Sequence, residues 1–287
     1  FKFKCEILKL KDMKKITILY MTGLLLGSMS SCTKDFEEIN TNPNVVEKPN
    51  PNYIFSKAQL DGLNNNYFFT NILECGGMLQ HYATYKEASG VGDKYLSNEV
   101  YYSAYFNQVY PLALNETEIV INAVKSNAND SNKLNIARIW KAYLYHRITD
   151  LYGDIPYSEA AKANSEQIFL PKYDSQESIY KDLLKELDEA ATALDASKPS
   201  FGGADFIYNG DVAKWKKFSY SLMLRLGLRL TKVDADLAKT WVTKAIAGGV
   251  ILNGTDNAIM KYTDGPNDFN RNPVGFDSRR QDFTAGS

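Results

Sequence analysis

The residues best suited to recognition chemistry lie between positions 82 and 107. Tyr82, Tyr85, Tyr95, Tyr101, Tyr102, Tyr105 and Phe106 are interleaved there with Asp93, Asn98, Glu99 and Asn107. Flat rings beside amides and carboxylates suit a sugar, which presents apolar C–H faces and a fringe of hydroxyls. Gly90 and Gly92 mark a loop inside the stretch, and loops on rigid scaffolds commonly carry recognition. Tyr95, on that loop, is the first candidate for ligand contact and Asn98 the second, with Tyr85 and Tyr101 beside them. Tyr102, Tyr105 and Phe106 follow helical spacing and are assigned to core. A second polar, turn-rich segment, 263–282, offers Asn267, Asp268 and Arg271 as further ligand-binding candidates. An ordinary surface loop is the competing reading there.

Other chemistries find little material. His81 and His146 are the only histidines and stand apart, so no zinc site or Cys/His pair is expected. Asn253, Asp256 and Asn257 sit close together but lack the alternating acidic ligands and closing Glu of a calcium loop. No metal, cofactor or catalytic residue is assigned. The formal net charge of −1 argues against a nucleic-acid partner. A composition of 44% hydrophobic and 23% charged residues excludes a disordered chain and a polytopic membrane protein.

The N-terminal region reads as an export signal. Met13-Lys14-Lys15 is basic, Ile16 to Leu26 is almost uninterruptedly apolar, and Gly27-Ser28-Met29-Ser30-Ser31-Cys32 is small and ends in Cys. That order describes a signal peptide with too short an apolar run to span a bilayer. The Cys after the small residues resembles the lipobox of bacterial lipoproteins, with Cys32 the lipidated residue. Residues 1–12 precede the signal and are expected to be over-read upstream sequence, 13–31 the signal, and 32–52 the lipidated Cys and a flexible tether rich in Asn and Pro. Residues 1–31 carry six Lys and two acidic residues, so the remainder holds 27 basic and 32 acidic residues. Cys75 is the one thiol left to that remainder, so no internal disulfide is expected there.

The candidate residues must be held by helices. Ala137, Trp140, Leu144, Ile148 and Leu151 fall on one face of a helix over 133–151, with Gly153 placed for a left-handed cap and Pro156 preventing continuation. Asp174 is expected to cap a helix whose stripe is Ile179, Leu183, Leu187, Ala191 and Leu194. Asp211 opens another with Trp215, Phe218, Leu222 and Leu226, and a shorter one carries Leu237, Trp241, Val242 and Ala245 as far as Gly248-Gly249. Between 101 and 125 a helical pattern meets Pro111, which should kink it or mark a restart. The stretch 174–195 holds seven acids against two Lys, and 212–233 holds six basic residues and no acid. These two helices are expected to pack antiparallel and share charge. The fold class is therefore all-α, made of tetratricopeptide-like helical hairpins with few or no strands and no strict repeat.

At this point the order of features resembles a known family. The segment Cys32-Thr33-Lys34-Asp35-Phe36-Glu37-Glu38 and the tether Ile39-Asn40-Thr41-Asn42-Pro43-Asn44 come first. Arg138-Ile139-Trp140-Lys141-Ala142-Tyr143 follows, then Asp150-Leu151-Tyr152-Gly153-Asp154-Ile155-Pro156-Tyr157-Ser158-Glu159-Ala160. Trp215-Lys216-Lys217-Phe218-Ser219-Tyr220-Ser221-Leu222-Met223-Leu224-Arg225-Leu226 completes the set. Together they resemble the SusD/RagB family of outer-membrane nutrient-binding lipoproteins. Members are generally longer, so the resemblance implies a SusD-like helical domain over 53–287 whose C-terminal part is missing. It implies a non-enzymatic, lipid-anchored protein at the cell surface that captures oligosaccharide, or peptide in some members. It also implies a SusC-like TonB-dependent transporter as partner. A helical glycosidase is the competing class, but it needs two carboxylates across a cleft, and no acid here has a distinctive apolar setting.

Overall fold

The computed structural model describes residues 50–64, 68–83, 92–263 and 284–285, all within the unit Asn50–Ser287. The expected upstream stretch, the signal and Cys32 lie outside the described residues, as do Tyr85, Asn267, Asp268 and Arg271. Helix α1 (Pro51–Asn64) leads to a π-helix, Phe68–Gly76, and to the two-residue strand β1 (Tyr82–Ala83). Helix α2 (Glu99–Val109) runs through a π-helical turn, Tyr110–Leu114, into α3 (Asn115–Val124). Then come α4 (Ser131–Tyr152), β2 (Ile155–Pro156), the short α5 (Ala163–Glu166) and β3 (Tyr173–Asp174). Helices α6 (Gln176–Ala193), α7 (Val212–Arg229) and α8 (Ala235–Gly248) follow, and β4 is Thr284–Ala285. Strand β1 pairs antiparallel with β4, and β2 with β3. The fold is all-α, as the periodicity predicts.

Successive helices lie against one another: α1 on α3, α3 on α4, α4 on α6, α6 on α7 and α7 on α8. The apolar stripes face into these seams. Ala137, Trp140, Leu144 and Ile148 of α4, Ile179, Leu183, Leu187 and Ala191 of α6, and Trp215, Leu222 and Leu226 of α7 are all buried, each large side chain contributing about 1.5–3 kcal/mol. Trp140 Nε1 donates to Ala58 O at 3.2 Å, tying α4 to α1. Phe55 stacks on Phe201 with centroids 3.9 Å apart. At Pro111, which brings no N–H, the chain widens into the π turn and continues, the restart that the proline requires.

Three local expectations are corrected. Gly153 has φ +76° but ψ −122°, so it ends α4 outside the left-handed helical region; Thr149 Oγ1 donates to Gly153 O at 2.7 Å. The cap of α6 is Ser175, which accepts from Ser178 N. Asp174 is held in β3 instead, accepting from Ser158 N at 2.7 Å and from its hydroxyl. Helices α6 and α7 do pack together, with Ser219 Oγ donating to Leu187 O at 2.8 Å. Yet no ion pair among the described residues joins them. Glu186 and Glu189 of α6 pair with Arg138 of α4, and Asp188 with Lys244 of α8. Arg229 of α7 pairs with Asp150 of α4.

Candidate functional site

The tyrosine-rich stretch is built around the π-helix. That helix buries Thr70, Ile72, Leu73 and Glu74, and its end is met by a single 3₁₀ turn, Gly92–Lys94. The two pieces touch through glycines. A Cβ on Gly77 would come within 2.7 Å of Asp93 N, and one on Gly92 within 2.7 Å of Leu73 O and 2.8 Å of Met78 N. Only residues without side chains permit that approach. Gln80 clips the junction from outside, its Nε2 donating to Gly77 O at 3.1 Å and Asp93 O at 3.2 Å.

Tyr95 N then donates to Gly92 O at 2.8 Å, and Tyr95 itself takes φ +52°. A non-glycine residue in the left-handed region costs about 1–3 kcal/mol and persists only where its surroundings dictate it. The result is a tyrosine ring that is 71% exposed. Asn98 caps α2, its Oδ1 accepting from Val100 N at 3.0 Å, and its own N–H donates to Glu74 Oε1 at 3.3 Å. Thr70 Oγ1 donates to Tyr101 O at 3.3 Å. Thus the π-helix grips the first turn of α2 from below, through two hydrogen bonds.

Around this junction the surface is unusually apolar. Leu79, Leu96 and Val100 are each more than half exposed, and Met78 and Tyr102 nearly so. Tyr102 lies edge-on to Tyr152 with centroids 5.2 Å apart. Tyr152 Oη donates to Tyr102 O at 2.7 Å and accepts from Phe106 N. Phe106 meets Tyr152 at 5.3 Å and Tyr110 at 4.9 Å. A run of rings therefore extends from the exposed Tyr102 along α2.

Beneath the platform lies a polar layer. Glu74 is 3% exposed; its Oε1 accepts from Asn98 N, and its Oε2 has no partner among the described residues. Burial raises its carboxyl above the usual range, against the Asn98 bond. The Arg147 guanidinium lies 4.7 Å over the Tyr105 ring and donates to Asn71 Oδ1 at 3.2 Å. Burial pushes the Tyr105 phenol up to about 12. Burial thus holds Glu74 and Tyr105 toward their neutral forms inside the layer.

Of the predicted residues, Tyr95, Asn98 and Tyr101 are brought to this one end of α2. Asn98 spends its side-chain oxygen on the helix cap. Tyr101 is stacked on Phe69 at 5.0 Å, which covers one ring face. Tyr102, assigned to core by its spacing, is instead 46% exposed. The buried line of α2 is Tyr105–Val109, and Tyr102, a turn earlier, lies against Tyr152, the last residue of α4. Leu79, Leu96 and Val100 escaped the sequence reading, because isolated aliphatics next to a loop carry no periodic signal. Asn253 and Asp256 serve local structure, Asn253 capping a short turn and Asp256 accepting from Lys217 at 2.8 Å. No group of His, Cys, Asp and Glu suited to a metal occurs among the described residues.

Residues 43–287 match the family model SusD-like_2, described as starch-binding associating with outer membrane. The chain belongs to the SusD-like family. A solved chitin-binding protein is 32% identical to it, with a TM-score of 0.73 over 82% of this chain and 50% of its own. A SusD-like protein described as Bacteroidetes AC2a is also 32% identical, with a TM-score of 0.68 over 75% and 40% of the two chains. A SusD homologue from Bacteroides uniformis ATCC 8492 is 27% identical, with a TM-score of 0.71 over 82% and 49%. No curated protein matches the sequence. The chain thus spans about half the length, or less, of the SusD-like structures it matches.

Proposed function

We propose that this SusD-like protein captures oligosaccharide at the cell surface without catalysis and passes it to a SusC-like TonB-dependent transporter. Residues 13–31 direct export, and lipidated Cys32 with the tether to residue 52 anchors the domain to the outer membrane. The observation that carries the reading is the exposed platform of Tyr95, Leu96, Val100 and Tyr102, set on a rigid junction of glycines and helix ends. A strained backbone that turns an aromatic ring outward resembles a recognition device more than a packing solution. The family's description as starch-binding and the chitin-binding relative support a saccharide as the ligand. Asn98, Tyr85, Tyr101, Asn267, Asp268 and Arg271 are assigned to the polar and aromatic surroundings of the bound chain. Hydrolysis would require two carboxylates facing each other across the sugar, and Glu74, buried beneath the platform, is spent on positioning α2.

Retention on insoluble chitin and starch tests this reading. Tyr95→Ala is expected to weaken binding by about 1–2 kcal/mol, a five- to thirty-fold loss, with thermal stability unchanged, since Ala keeps the Cβ and the same positive φ. Unaltered retention sinks the platform. Reducing sugar released from either polymer sinks the non-catalytic assignment.

A further inference from the structure

Away from the platform, a cavity of about 290 Å³ is lined by α4, α6 and the residues that follow β2. This is at the lower end of small-molecule pockets, which run to roughly 300–1,000 Å³. Its wall is mostly charged, with one tyrosine ring turned into it: Tyr157 is half-buried and meets Tyr145 edge-on at 4.7 Å. Tyr157 Oη donates to Asp182 Oδ2 at 2.6 Å, which fixes the ring. Asp182 Oδ1 receives no hydrogen bond from a described residue. Lys141 gives one proton to Glu118 at 2.8 Å and keeps two. Lys162 pairs with Glu166 at 3.2 Å and likewise retains donors. Glu186 is clamped by the Arg138 guanidinium through two bonds of 2.9 Å, which outweigh burial and hold its carboxyl below the usual range. Tyr145, also lining the cavity, is 1% exposed, and its hydroxyl has no partner among the described residues.

The chemistry of the lining selects the ligand. An anion would meet Asp182 and Glu186, and a cation would meet Lys141 and Lys162. A hydroxyl, which donates and accepts at once, can satisfy a lysine and a carboxylate together. We propose that this cavity is a second binding site, for one or two rings of a neutral saccharide, distinct from the Tyr95 platform. It rests on the saccharide reading above only in the choice of probes.

The experiment is isothermal titration of the full chain with glucose, N-acetylglucosamine, maltose and chitobiose, run beside retention on starch and chitin. At least one short sugar is expected to bind. Asp182→Asn, which still accepts from Tyr157, and Lys141→Met should each weaken that binding ten-fold or more and leave the melting temperature within a few degrees. Tyr95→Ala should leave it within two-fold while lowering retention on polymer. Failure of all four sugars to bind the wild-type chain overturns the proposal, as does a short-sugar affinity indifferent to both cavity substitutions. Loss of short-sugar binding in Tyr95→Ala overturns it too, since one site would then serve both. Polymer retention insensitive to Tyr95→Ala, with short-sugar binding intact, counts against the platform and not against the cavity.

Discussion

Asp205 ties together segments far apart in the sequence. It is 2% exposed, and its two oxygens accept from five N–H groups. Oδ1 takes Gln59 Nε2 at 2.8 Å, Ile207 N at 3.0 Å and Tyr208 N at 3.3 Å. Oδ2 takes Gly210 N at 2.9 Å and Trp215 Nε1 at 2.6 Å. One carboxylate thus joins α1, the loop before α7 and α7 itself, and organises the tryptophan of the second family motif. Asp205→Ala strips five donors of their acceptor, three of them in buried bonds, and is expected to cost about 3–5 kcal/mol. Asp205→Asn should cost less, because its carbonyl serves one set while its amide opposes the other. Urea unfolding checks both, and an Asp205→Ala midpoint equal to wild type would remove Asp205 from this role. Nothing in the sequence marks the residue, since its partners are spread from 59 to 215 and obey no spacing.

At the scale of elements, the helices were legible and their partners were not. The stripe Ala137–Trp140–Leu144–Ile148 announces a buried face through its period, and Asp211 announces a helix start through its side-chain oxygen. Charge runs name no neighbour, however. The acids of α6 reach Arg138 on α4 and Lys244 on α8, although α6 packs on α4 and α7. The recognition platform was half legible: tyrosines and glycines flagged the region, whereas the π-helix beneath it carries no distinguishing pattern. Its fit with the 3₁₀ turn makes a prediction about positioning. Gly92→Ala places a methyl against the backbone of Leu73, Glu74 and Met78, none of which can rotate away. The turn must shift, carrying Tyr95 with it. Retention on chitin is expected to fall about as far as in Tyr95→Ala, accompanied by a lower melting temperature that Tyr95→Ala does not show. Gly203→Ala, whose new methyl would sit 3.7 Å from its nearest neighbour, serves as control and should change neither.

For the molecule as a whole, α4 is the axis. It touches α1, α2, α3, α6 and α7, and the first family motif, Arg138 to Tyr143 with Asp150 to Ala160, lies along it and just beyond. Those motif residues hold the fold: Asp154 accepts from Gln176 N at 2.8 Å, and β2 pairs with β3. The family was readable from sequence while its ligand was not, since Trp140, Ile155 and Asp154 of the motif serve packing and the joint to α6. His146 lies in the middle of this axis, 2% exposed, and its Nδ1 donates to Tyr143 O. Burial, helped by Arg147, Arg225 and Arg229, lowers its imidazole to about 3. In the unfolded chain the same group titrates near 6.5. Below about pH 6.5 the unfolded chain therefore binds a proton that the native state refuses. Stability present above that pH is lost as the pH falls toward 3, at about 1.4 kcal/mol per unit. Glu74, raised by burial, acts in the opposite sense within the carboxylate range, and Asp174 and Glu186, both lowered, add to the acid loss there. The interval from pH 7 to pH 5 holds most of the histidine's effect, which Glu74 and Glu116, both raised by burial, oppose where they titrate. Unfolding free energy is expected to drop by about 2 kcal/mol across it, and His146→Gln, neutral and able to keep the bond to Tyr143, should flatten the slope. Parallel slopes in the two proteins would mean that His146 gains water and a proton without global unfolding, and that the α4 axis opens locally.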